Sequence, residues 1–207
     1  MKRKFTVIVN KRYTYASGGD NMATLEKNRM LKIENEVNKI TSTLDFSKSP
    51  FVDISSLVEK ERFTVRPRLM EIETTGCLFV NDDPENFERL IVVNTIFKNP
   101  DNEKDVIFKK SRFITAHEFG HYKLHKPSQQ SYYFHRDSDK RDNQIELEAD
   151  YFARALLMPY NEFSGYLKIL NDMAENDPLF VKGTLSSLFG VTKNKVEKRM
   201  EDLVTLG

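Results

Sequence analysis

The chain has 207 residues, 39% hydrophobic and 30% charged, with a formal net charge of +1. That balance fits a soluble globular protein with one full core and room for a small second module, and it excludes a disordered chain. It also supplies no global field toward nucleic acid or a membrane surface, and a single cysteine, Cys77, excludes an internal disulfide.

The first residues, MKRKFTVIVNKRY, carry an apolar run of about five, short of the roughly 7–15 of a signal peptide. No later run approaches the about 20 apolar residues of a membrane span. The expected compartment is the cytoplasm, with no membrane partner. Residues 1–22 form a basic N-terminal extension with a candidate strand at Phe5–Val9. Its cations Lys2, Arg3, Lys4, Lys11 and Arg12 precede the first acid, Asp20, which reads as a solvated tail or a partner-binding arm. Residues 23–175 are expected to form the main domain and 176–207 a helical C-terminal module.

From Thr24 to Leu44, Leu25, Met30, Ile33, Val37, Ile40 and Leu44 recur at helical spacing and predict an amphipathic helix. Asp53 is placed to cap a short helix, ISSLVEKE. Four short runs with strand character follow: RFTVR, LMEIE, GCLFV and LIVVN. The residues NDDPEN between the last two are turn formers. Such closely spaced strands predict a small, mainly antiparallel sheet. The apolar period then becomes helical over residues 106–125, up to Pro127, and again over 143–158, up to Pro159.

The chemistry concentrates in HEFGH, residues 117–121. Four residues advance a helix by about 400°, so His117 and His121 share one face and can bind one zinc ion. Glu118 lies one step round, within reach of a water at the metal but not placed to ligate. Zinc lowers the pKa of a bound water to about 7, and a neighbouring carboxylate takes the proton as the oxygen attacks a carbonyl. The pattern therefore points to a hydrolase with Glu118 as general base. The whole chain has only four histidines, so chance is a poor account of this spacing.

A catalytic zinc needs a third protein ligand. The following helix offers Glu146, Glu148 and Asp150. Glu146 and Asp150 are four apart and border the apolar stripe of Ala149, Phe152, Ala153 and Leu156, which should pack on the first helix. Glu146 is therefore read as the third ligand, with Glu148 the alternative. Asp150 is read as the carboxylate that holds one ligand histidine by its other ring nitrogen. His125 is read as a helix-end residue, with substrate contact as the alternative. His135, Tyr132 and Tyr133 are candidates for stabilising an oxyanion, and none is assigned.

The stretch RFITAHEFGHYKLH followed by ELEADYFARALLMP resembles the ImmA/IrrE-type metallopeptidases. The segments LIVVN, TTGCLF and VDISSLVEK are also similar to that pattern, so the resemblance spans roughly residues 50–205. It implies an α+β, zincin-like domain with its sheet packed on the metal-binding helix and the helix after it. It also implies His117, His121 and Glu146 as ligands of one Zn2+ (or another divalent ion) and Glu118 as base. By analogy with the family, the substrate is a DNA-binding helix-turn-helix repressor, whose cleavage would relieve repression of mobile-element or stress genes. The competing reading is a non-catalytic zincin-like module that displaces a repressor or contacts DNA.

The C-terminal GTLSSLFGVTKNKVEKRMEDL has Gly190 as a turn and Thr192 as a candidate N-cap, which predicts a helix-turn-helix-like element. Its second helix sets Lys193, Lys195, Lys198 and Arg199 against Glu197, Glu201 and Asp202. That is a weakly basic face, and a structural or protein-binding role is favoured over nucleic-acid contact.

Overall fold

The computed structural model describes residues 25–70, 75–95, 104–125, 142–174 and 177–207. In chain order these form α1 (Lys27–Thr41), α2 (Ile54–Lys60), β1 (Thr64–Arg68), β2 (Gly76–Asn81), β3 (Glu88–Asn94), α3 (Lys104–His125), α4 (Asp142–Leu157), α5 (Tyr160–Met173), α6 (Pro178–Phe189) and α7 (Lys193–Leu206). The class is α+β, compatible with a zincin-like domain. The N-terminal extension and the candidate strand at residues 5–9 lie outside the described residues.

The first helix forms where the apolar period placed it, burying Met30, Ile33 and Val37 on one face. The second is capped as expected. Asp53 Oδ1 accepts from the Ser56 amide at 3.2 Å, and Ser56 Oγ donates to Asp53 Oδ2 at 2.7 Å. These bonds favour the carboxylate and hold the Asp53 pKa below its ordinary value.

The sheet differs from the expected mainly antiparallel one. Among the described residues it has three strands in the order β1-β3-β2. The turn after Asn81 folds β2 back antiparallel on β3, pairing Leu78 with Ile91. On the other side of β3, β1 runs parallel, pairing Val65 with Ile91 and Pro67 with Val93. The sheet is therefore mixed, because the chain leaves β1 and returns to fill the place beside it from the far side. Pro67 has no N–H to give and is tolerated because β1 lies at the edge of the sheet among the described residues. The LMEIE run is not a fourth strand at Leu69 and Met70; residues 71–74 lie outside the described residues.

The buried face of the sheet, with Leu78, Val80, Ile91 and Val93, lies on α3. Helix α3 packs on α4, and Gly120 lies at this contact. A Cβ added there would stand 2.9 Å from Phe152 Cδ1 and 3.3 Å from Ala149 Cα. A glycine in mid-helix costs about 1 kcal/mol of helix propensity, and here it lets two helices carrying site residues approach closely.

Beyond Pro159 the chain continues as α5, a helix the sequence reading did not anticipate, and Phe163 and Leu170 bury its inner face. At the α6–α7 turn Gly190 takes a left-handed φ of 62°. Arg112 of α3 reaches this turn, donating to the carbonyls of Gly190 at 3.1 Å and Val52 at 2.8 Å, with its guanidinium on the Phe51 ring. Arg199 of α7 is fully buried. It donates to Glu34 of α1 at 2.6 and 3.2 Å and to the Met158 carbonyl at 3.0 Å, while Tyr151 of α4 donates to the same glutamate at 2.6 Å. One polar network therefore joins α1, α4 and α7 around the helix that bears Glu146.

No helix among the described residues is long and apolar enough to cross a membrane.

Candidate metal centre

His117 and His121 lie one turn apart on the buried face of α3, with 4% and 1% of their surface exposed. Their Nε2 atoms are 3.1 Å apart. From α4, Glu146 brings Oε2 to 3.1 Å from His117 Nε2 and Oε1 to 3.2 Å from His121 Nε2. The three residues offer ligand atoms that all lie within 4.8 Å of one another. One turn along α4, Asp150 Oδ1 stands 2.8 Å from His117 Nδ1.

This donor set has a simple electrostatic requirement. When His117 donates Nδ1–H to Asp150, its Nε2 lone pair faces the Glu146 carboxylate and the Nε2 of His121. Lone pairs brought so close in a buried place need a cation between them. A proton is one solution. Burial alone would lower the His117 pKa, but hydrogen bonds to Asp150 and Glu146 overcome it and push the value up to about 9. Burial would raise the Glu146 pKa, but hydrogen bonds with His117 and His121 outweigh it and draw the value down to about 2. His121 moves the other way, below its ordinary value, chiefly through burial. A divalent metal is the other solution, and two imidazoles plus a carboxylate, with Asp150 fixing one imidazole, is a donor set that suits it.

Glu118 projects from the same helix toward the sheet. A Cβ added to Gly76 would lie 2.8 Å from Glu118 Oε1 and 2.5 Å from Ile114 Cγ2. The carboxylate is thus seated against the first residue of β2, where only a glycine leaves it room. The sequence reading placed this glycine at the start of the strand run GCLFV and gave it no role at the site. A glycine opening an otherwise apolar strand run was the available signal.

Glu148 sits apart from this cluster. It forms an ion pair with Arg29 of α1 and accepts from Gln144 at 3.2 Å, and its Oε2 is 3.9 Å from His125 Nε2. His125 is thereby placed on the Glu148 side of α4, with its ring 5.7 Å from that of His121. Tyr132, Tyr133 and His135 lie outside the described residues.

The basic face expected on α7 is partly turned inward. Arg199 is consumed by Glu34, and Lys195 leans over the Phe113 ring at 3.7 Å, with Nζ 3.6 Å from Asp150 Oδ2. Lys193 and Lys198 remain exposed.

Residues 109–201 match the family model of Peptidase_M78, the IrrE N-terminal-like domain. The match contains His117, Glu118, His121, Glu146 and Asp150, and it agrees with the resemblance to ImmA/IrrE-type metallopeptidases. No curated protein matches the chain.

Proposed function

We propose that this chain, carrying an IrrE N-terminal-like domain, is a zinc-dependent endopeptidase that cleaves one peptide bond in a protein substrate. The supporting observation is the convergence of His117, His121 and Glu146 with Glu118 seated between them and β2. The first three would hold the ion, and Asp150 would orient His117. A bound zinc supplies Lewis-acid polarisation of a carbonyl and an acidified water. The protein supplies the rest. Glu118 takes the proton from the attacking water and returns it to the departing amine.

Among the described residues β2 is an edge strand, so its outer backbone offers a docking line for an extended substrate. Such pairing reads little side-chain identity, and selectivity then requires a second contact, for which the α6–α7 pair is the candidate. The substrate favoured by resemblance to ImmA/IrrE-type peptidases is a helix-turn-helix repressor, cleaved to release mobile-element or stress genes. Co-expression with the repressor encoded nearest the gene tests this, comparing wild type with Glu118→Gln. The expected result is a shortened repressor and derepression with wild type only. Equal derepression by both, with the repressor full length, would establish action by binding and overturn the peptidase reading.

A further inference from the structure

We infer that Lys195, on the C-terminal helix, is a positioning residue for the metal centre, acting through Asp150. The inference rests on the reading of His117 as a ligand. Three elements meet at this point. Helix α3 contributes His117 and, one turn before it, Phe113; α4 contributes Asp150; and α7 contributes Lys195. The Lys195 ammonium stands 3.7 Å from the centroid of the Phe113 ring and 3.6 Å from Asp150 Oδ2. The other oxygen, Oδ1, is 2.8 Å from His117 Nδ1. The carboxylate of Asp150 thus lies between a cation and an imidazole, with one oxygen turned to each.

Each contact restrains a different freedom. The Phe113 face holds the lysine head by cation–π attraction. The ammonium in turn limits rotation of the Asp150 carboxylate about its last bond, a broad torsion when nothing holds it. A carboxylate so held keeps Oδ1 as acceptor for Nδ1–H, which leaves the Nε2 lone pair of His117 facing Glu146. Lys195 is about a quarter exposed, so its plain Coulomb effect on an ion beyond Asp150 is screened. Orientation is therefore the larger contribution, and its loss should weaken metal binding. Loss of a residue that directly supports a ligand costs about 10–100-fold in affinity. One step further out, about 3–10-fold is expected.

The test uses the full chain and zinc alone, with affinity read by competition against a chromophoric chelator. Lys195→Met should weaken zinc binding about 3–10-fold, and Lys195→Gln should do the same, which separates loss of charge from loss of packing. Lys195→Arg, which keeps a cation over Phe113, should remain within about twofold of wild type. In an Asp150→Asn background the Lys195→Met effect should vanish, because the residue through which it acts is already changed. Wild-type affinity in both neutral variants would overturn the inference while leaving the metal site intact. An undiminished effect in the Asp150→Asn background would also overturn it, by showing a purely structural role. Absence of zinc binding in wild type would instead remove the premise, and the failure would then belong to the site reading.

Discussion

Glu118 and Gly76 touch across the α3–β2 boundary: a methyl group on the glycine would stand 2.8 Å from the Glu118 carboxylate and 2.5 Å from Ile114. Neither distance is tolerable for a carbon, so Gly76→Ala must push Glu118, Ile114 or β2 itself. Overpacking of this kind costs about 1–3 kcal/mol. Repressor cleavage should fall at least tenfold while zinc content stays near wild type, since no ligand touches Gly76. Unchanged cleavage by the alanine variant would mean that the position of Glu118 does not matter to the chemistry.

The two glutamates of α4 should separate cleanly. Glu146→Gln removes a charge that faces both histidines and should abolish tight zinc binding. Glu148→Gln removes the partner of Arg29 and should leave zinc affinity within a few fold, with a modest loss of thermal stability. Chelator competition and melting curves on the two variants check this, and a reversed pair of results would assign the ligand to Glu148.

The pH dependence follows from His117. Its pKa in the metal-free protein is raised to about 9, above the ordinary value of about 6.5. The stability it contributes is full below the unfolded value and is lost as pH rises through the folded one. Melting temperature in the presence of a chelator should therefore fall between pH 6.5 and 9. Zinc must displace the same proton, so affinity should rise about tenfold per pH unit over this window and flatten above it. A metal-free protein that becomes more stable from pH 6.5 to 9 would contradict the arrangement around His117.

The buried Arg199–Glu34 pair gives a prediction about architecture. Arg199→Met leaves Glu34 charged and enclosed, which costs about 3–5 kcal/mol. At this chain length each kcal/mol lowers the melting temperature by about 2–4 °C. Because Tyr151 of this network lies on α4, the helix that bears Glu146, and Met158 directly follows that helix, zinc affinity should also fall modestly. Thermal melts with and without zinc measure both.

These residues also mark how far the sequence alone could be read. The 117–121 spacing, the apolar stripe beside Glu146 and Asp150, and the Asp53 cap are local, fixed by helix periodicity within a few residues. The side-by-side approach of two helices was legible because the stripe of Ala149, Phe152, Ala153 and Leu156 needs an apolar partner. The parallel pairing of β1 with β3 was not, since strand order depends on a crossover that turn residues do not encode. Arg199 read as part of a solvated basic face because its partner, Glu34, is 165 residues away in sequence. Lys195 was read only as part of that face and Gly76 only as the start of a strand run, because what they touch is brought together only by the fold. The α5 helix escaped because Pro159 was read as a stop, whereas a proline at a helix start is equally natural.

Metal analysis of the protein purified without chelators tests the central claim most directly. The account predicts about one zinc per chain in wild type and in Glu118→Gln, and none in His121→Ala, because Glu118 is a base and His121 a ligand. Wild-type protein without specifically bound metal, or an equal metal content in His121→Ala, would contradict it.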